Sequence, residues 1–142
     1  LRNAVRIDFI PPEKIHGWTW EQVRSGLEKI LAICDEEWLP EDVYLSLKTG
    51  RASLYTFAGG FFIAELMPSP FNGSRRLNVW CLFTQPMVGD EFQEVLISEF
   101  ERIAAQHGCI AVRFVSPRMG WGRKLKGQFE EVGVIYERKI HV

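Results

Sequence analysis

The spacing of hydrophobic and polar residues divides the chain into strands and helices. Short apolar or alternating runs that are bounded by Pro, Gly or Asn predict strands. These runs fall at residues 4–10, 51–57, 59–68, 75–83, 109–115 and 134–142. Stretches in which apolar residues recur every three or four positions predict helices instead. The helices begin near Thr19, Pro40, Asp90 and Gly122.

The predicted elements follow the order β-α-α-β-β-β-α-β-α-β in a single domain, residues 1–142. Some strands follow one another directly, as at the Ala58-Gly59-Gly60 hairpin turn, and others are separated by a helix. Direct succession favours antiparallel pairing, whereas a crossing helix favours parallel pairing. The pattern therefore predicts an α/β (α+β) fold with a mixed, largely antiparallel sheet flanked by helices.

Composition excludes several classes of protein. Hydrophobic residues make up 46% and charged residues 25% of the 142, as in ordinary globular domains. The net charge of −1 gives no general attraction to nucleic acid or to an anionic membrane. The sequence contains no apolar run of about 18 residues, so no membrane span is predicted. Cys34, Cys81 and Cys109 are widely spaced, which predicts free thiols in the cytoplasm. The Cys and His positions lack metal-ligand spacing, so no metal site is expected.

The turn before the third predicted helix is a candidate anion site, because a helix N-terminus offers free N–H groups and the positive end of the dipole. Its only glycine is Gly89, followed by Asp90 and Glu91. Asp90 is a suitable N-cap with Gln93 in the reciprocal position. Two interpretations stay open: a phosphate cradle, and the favoured one, a structural helix that caps itself.

Three further features could carry chemistry. Glu65 stands in an otherwise apolar strand, either as a general base with a raised pKa or on a solvated face, which is favoured. Cys81 is more readily explained as a buried thiol than as a nucleophile. Basic residues crowd the start of the last predicted helix, where they oppose its dipole and either bind an anion or form a solvated face. They are Arg118, Arg123, Lys124 and Lys126.

Two segments in the C-terminal half resemble the GNAT N-acetyltransferase superfamily. They are "FERIAAQHGCIAVRFV" at 100–115 and "FEEVGVIYERK" at 129–139, and the predicted element order is similar over nearly the whole chain. The resemblance implies transfer of an acyl group from acetyl-CoA to a small-molecule or peptide amine by direct attack. It leaves a homodimer open.

The resemblance also implies roles for particular residues. In the family the CoA pyrophosphate binds at the turn that corresponds to Val88, Gly89 and Asp90, so these three residues and Phe83, at the end of the preceding strand, are the expected cofactor contacts. Arg123 and Lys124 are the expected contacts of the nucleotide phosphate. Glu91 and Gln93, however, stand where the family has small residues.

The catalytic positions of the family are also changed. Its proton-donating tyrosine corresponds to Phe129, which leaves Tyr136 as the candidate acid and Glu65 as the candidate base. The alternative interpretation is a non-catalytic binding or assembly module with the same fold, which has lost the CoA pyrophosphate loop.

Overall fold

A five-stranded sheet with helices on both faces forms the frame of the protein. The computed structural model describes residues 6–116 and 127–141. The strands are β1 (Asp8–Ile10), β2 (Ala52–Phe57), β3 (Gly60–Pro68), β4 (Arg75–Thr84) and β5 (Ala111–Arg113). They lie side by side in chain order, with β1 to β4 antiparallel and β5 parallel to β4. The helices are α1 (Gly17–Ile33), α2 (Pro40–Lys48) and α3 (Phe92–Gln106).

Helices α1 and α2 cover one face of the sheet. Their apolar stripes meet alternate strand residues, since successive side chains of a strand point to opposite faces. Leu27 of α1, Leu47 of α2 and Leu54 of β2 are completely buried in this layer. Gly26 permits the close contact, because a Cβ atom placed on it would lie 2.5 Å from the ring of Phe61.

Helix α3 covers the opposite face, where aromatic rings dominate the core. Phe62 is stacked on Tyr55 with 4.8 Å between ring centroids and meets the edge of Phe100 of α3 at 4.9 Å. Phe57 contacts Phe92 in the first turn of α3 at 4.8 Å. The surplus of aromatic residues in the sequence is therefore explained in part by this interface.

The predicted fold class is confirmed, but the starts of two helices need correction. Helix α1 begins at Gly17, two residues before the predicted start near Thr19, and its N-cap is His16. Helix α3 begins at Phe92 with Glu91 as its N-cap and without a side-chain cap hydrogen bond. The predicted capping box of Asp90 and Gln93 is therefore wrong as well.

The C-terminal part departs most from the sequence-based expectation. Of the predicted last helix, residues 122–126 lie outside the described residues and residues 127–132 are not helical. Residues 134–141 form no strand. The unfavourable order of charges along the predicted helix and the positive φ of 88° at Gly127 both oppose a helix. A single extended segment without a neighbouring strand gains no ladder hydrogen bonds, so strand propensity alone does not form one.

Candidate functional site

A cleft opens where β4 and β5 separate. The two strands pair at Arg76–Ala111, Leu77–Val112 and Asn78–Arg113, while β4 continues to Thr84. Beyond this pairing lies a cavity of about 220 Å³. Its described wall comprises the end of α1, residues of the 34–38 segment, the second half of β4, the turn at 88–90, α3, residues 114–116 and Phe129. The edge of β4 in this region therefore faces a cavity rather than a strand.

A β-bulge in β4 shapes this cavity. Ile63 of β3 pairs with Cys81, but the next residue, Ala64, pairs with Val79, so Trp80 is the extra residue. A bulge bends its strand and re-aims the side chains beside it. Trp80 and Cys81 consequently both reach the cavity wall. The alternation of "RRLNVWCLF" contains no signal that separates a bulge from a regular strand.

The turn before α3 is anchored on the β2–β3 hairpin. The N–H of Gln85 donates to the carbonyl oxygen of Gly59 at 2.7 Å, and the N–H of Val88 donates to the carbonyl oxygen of Gln85 at 3.0 Å. A Cβ on Gly59 would lie 2.7 Å from Cγ2 of Val88, so the two residues are in close contact. Val88, Gly89 and Asp90 all line the cavity.

Glu91 places its own negative charge over this turn. A Cβ atom on Gly89 would lie 2.8 Å from both carboxylate oxygens of Glu91, so the carboxylate is folded back over the glycine. It lies at the N-terminal end of α3, where the dipole favours an anion. The carboxylate therefore lies where a side chain on residue 89 would be, next to the cavity but not among its lining residues.

The other predicted site residues are spread over the molecule. Phe83 packs under α1, where it is stacked on Phe61 at 5.6 Å, and it is not among the residues lining the cavity. Glu65 lies half-buried between Ala52 and Asn78 in the sheet, where burial raises its pKa. Tyr136 is 90% exposed. Arg123 and Lys124 lie outside the described residues.

Phe129 does reach the cavity, in an aromatic pair with Phe114. The rings meet edge to face, 5.2 Å apart and at 74°. The position at which the resemblance leads one to expect a tyrosine therefore lines the cavity wall, but its side chain has no proton to donate.

Glu36, Trp38 and Trp80 form an acidic and aromatic end of the cavity, which sequence reasoning missed. The indole N–H of Trp38 donates to Oε2 of Glu36 at 2.8 Å, and the Trp38 and Trp80 rings meet edge to face at 6.1 Å. The only available signal was the stretch "DEEWLP", which reads equally well as an exposed connection.

Cys81 stands beside this end as a buried, neutral thiol. Burial raises its pKa, and the charges of Glu36 and Glu65 raise it further. Since the thiolate is the nucleophilic form, these surroundings do not activate the residue. The interpretation of Cys81 as a buried thiol is confirmed, and in the described part of the chain the three cysteines are free.

Electrostatically, the described wall of the cavity is negative. Among the lining residues the structure describes, the charged ones are Glu36 and Asp90. Within residues 6–116 and 127–141 no His, Cys, Asp or Glu side chains group as metal ligands, and no helix there has the length and apolarity needed to cross a membrane.

The fold that contains this cleft is similar to the folds of solved acetyltransferase structures. A ribosomal-protein-alanine N-acetyltransferase from Brucella melitensis superposes with a TM-score of 0.68 at 17% identity, over 98% of this chain and 100% of the other. An aminoglycoside acetyltransferase from a soil metagenomic sample, solved with sisomicin, gives 0.71 at 11% identity over 96% and 97%. A GCN5-related N-acetyltransferase from Ralstonia eutropha gives 0.71 at 11% identity over 96% and 99%.

Comparison of sequences does not detect this similarity. No protein-family model matches the chain, and no curated protein sequence matches it significantly. The likeness lies in the element order, in the mixed sheet and in almost complete mutual coverage of the chains. The chain therefore has the GNAT fold, that of the GCN5-related N-acetyltransferases, in a form of divergent sequence.

Proposed function

We propose that the protein is an N-acyltransferase, which moves an acyl group from acyl-CoA to an amine inside the cleft between β4 and β5. The observation that carries this proposal is the end of β4–β5 pairing at Asn78, which opens a cavity beside the N-terminus of α3. Structures with the same fold include enzymes named for acetylating ribosomal-protein alanine and aminoglycosides, and both of these acceptors are amines.

The cleft suits the thioester arm of acyl-CoA better than its diphosphate. Peptide groups along the β4 edge past Asn78 can bond an extended, amide-bearing chain, much as a sheet edge binds a peptide. At the turn, by contrast, the carboxylates of Asp90 and Glu91 oppose a diphosphate. Contacts with the diphosphate are assigned in this proposal to the backbone of Val88–Asp90, and the nucleotide phosphate to Arg123 and Lys124.

Acyl transfer needs the amine placed against the thioester carbonyl carbon. The new C–N bond forms, the C–S bond breaks and one proton reaches the sulfur, while the nitrogen loses one proton if the amine arrives neutral and two if it arrives as an ammonium ion. Glu65 remains the proposed base, because burial raises its pKa toward the range a base needs, and it would act through water because it lies off the cavity wall. Tyr136 would serve as the acid only with residues 134–141 docked on the cleft.

A second candidate function, a binding module without catalysis, is favoured by two observations. The Glu91 carboxylate covers Gly89, and Phe129 replaces a proton donor at the cavity wall. Both changes remove parts that acyl transfer uses, and neither disturbs the cavity itself.

Acetyl-CoA is expected to stabilise the fold if the first proposal holds. A ligand present at 100 times its dissociation constant stabilises the native state by about 2.7 kcal/mol. The measurement is the melting temperature in rising acetyl-CoA, with acetyl-pantetheine as a control that lacks the nucleotide and diphosphate. A melting temperature that stays constant up to millimolar acetyl-CoA would contradict the enzyme proposal and favour the binding module.

Glu91→Gln is expected to strengthen acetyl-CoA binding by about twofold to fivefold, the effect of one charge at a helix N-terminus. The amide keeps the shape of the side chain and removes the negative charge over Gly89. Calorimetric titration gives the two affinities. Glu101→Gln, at an exposed position near the other end of α3, makes the same change in net charge. An equal gain in that control would trace the effect to net charge and refute the role of Glu91.

A further inference from the structure

The acidic and aromatic end of the cavity, defined by Glu36, Trp38 and Trp80, has the chemistry of a cation site. We propose that it binds the acceptor, and that the acceptor is an amine with a positive charge at neutral pH joined to an apolar body. The role of the bound amine as acceptor rests on the proposed acyl transfer, whereas the recognition of an organic cation rests only on these three residues.

The Glu36 carboxylate is held in a fixed position. The Trp38 indole N–H donates to Oε2 of Glu36 at 2.8 Å, which holds the carboxylate in the cavity wall. A carboxylate has two oxygens and several lone-pair sites, so this bond leaves Glu36 able to accept from an ammonium group. Both side chains are half-buried, so an ion pair formed here is less screened than one on the open surface.

Two indole rings lie at this end of the cavity. Trp38 and Trp80 meet edge to face, and both line the cavity. Indole faces attract cations more strongly than the rings of Phe or Tyr do. Trp38 turns its N–H edge to the Glu36 carboxylate, and the two rings add aromatic surface at the cavity wall, which suits a group that is positive and partly apolar.

The charge around this end of the cavity is negative. Among the described lining residues at this end of the cavity, the charged one is Glu36. Glu65 adds to the negative potential at Cys81, next to Trp80. The rest of this end is apolar, with Ile33 and Leu82 in the wall. A cation with an apolar body therefore meets complementary charge and a surface that it can cover.

The test compares a cation with its neutral counterpart. Phenethylamine is protonated at neutral pH, and phenethyl alcohol has nearly the same shape without the charge. Isothermal titration of the full chain, without acetyl-CoA, is expected to give a dissociation constant for the amine that is at least tenfold lower than that for the alcohol. Glu36→Gln is expected to weaken amine binding about tenfold or more, the effect of losing a hydrogen bond to a charged group.

The control is the neighbouring residue. Glu37→Gln makes the same change in net charge at an exposed position that does not line the cavity. Glutamine at position 36 can still accept the Trp38 N–H, so the variant is expected to fold, which its melting curve verifies. Equal binding of amine and alcohol, equal loss in both variants, or no amine binding at millimolar concentration would each overturn the proposal.

The outcome is separable from that of the proposed function. Amine binding that depends on Glu36, in a protein whose melting temperature ignores acetyl-CoA, would support the cation site while contradicting acyl transfer. Acetyl-CoA binding without recognition of the amine would do the reverse. The two experiments share no ligand and no substituted residue.

Discussion

Phe62→Ala is expected to lower the free energy of unfolding by about 3–5 kcal/mol. Phe62 is completely buried, lies flat on Tyr55 and meets the edge of Phe100, so its removal empties the layer between the sheet and α3. A loss of this size is a large fraction of the usual 5–15 kcal/mol for a domain. Urea unfolding followed by circular dichroism measures it.

Phe71→Ala supplies the matched control for this prediction. Phe71 is 94% exposed in the connection between β3 and β4, so the same atoms are removed where they contact almost nothing. Its unfolding free energy is expected to stay within about 0.5 kcal/mol of the parent protein. Similar losses in the two variants would show that Phe62 does not carry the core on this face.

Gly60→Ala is expected to cost about 3 kcal/mol, at the upper end of the usual range for overpacking. A Cβ atom at this position would overlap the carbonyl oxygen of Phe83 and lie 2.9 Å from the ring of Phe57. The oxygen belongs to the backbone of a paired strand, so relief requires β3 and β4 to move apart. Thermal or urea unfolding measures the loss.

Gly133→Ala separates this steric effect from the general effect of removing a glycine. Neither glycine has a positive φ, and a Cβ on Gly133 would meet no atom within 4 Å. The control is therefore expected to unfold like the parent protein. If Gly60→Ala also behaves like the parent, the close approach of β3 to the end of β4 is not a constraint on the fold.

Sequence patterns predicted the frame because burial sets the frame. The alternation in β2 to β4 and the apolar stripes of α1 to α3 indicate which side chains leave water, and the structure buries them accordingly. The helix starts were less predictable. A cap residue such as Thr19 is compatible with a helix that begins two residues earlier, because the side chain can equally stand in the first turn.

The candidate site was predicted in part. Contact of Val88, Gly89 and Asp90 with a pyrophosphate stays a prediction. Their place follows from element order, so these three residues were predicted from the sequence to lie at the start of α3, where they line the cavity. Glu36 and Trp80 were not, because their approach depends on a bulge and on the path of an irregular connection. Neither the bulge nor the path of the connection produces a repeating pattern of apolar residues in the sequence. Phe83 was predicted to contact the cosubstrate because it lies near the end of β4, but its side chain stacks on Phe61 and is absent from the described wall of the cavity.

The short contact between β4 and β5 has a consequence for how the molecule fluctuates. Strands β2, β3 and β4 are joined by short connections, whereas β5 joins the sheet only after the excursion through α3. Its ladder spans only Ala111–Arg113. A strand with so few partners opens at a lower free energy than the central strands. Residues 114–116 of the cavity wall follow β5 directly, so opening of this strand is expected to widen the cavity while the two cores remain folded.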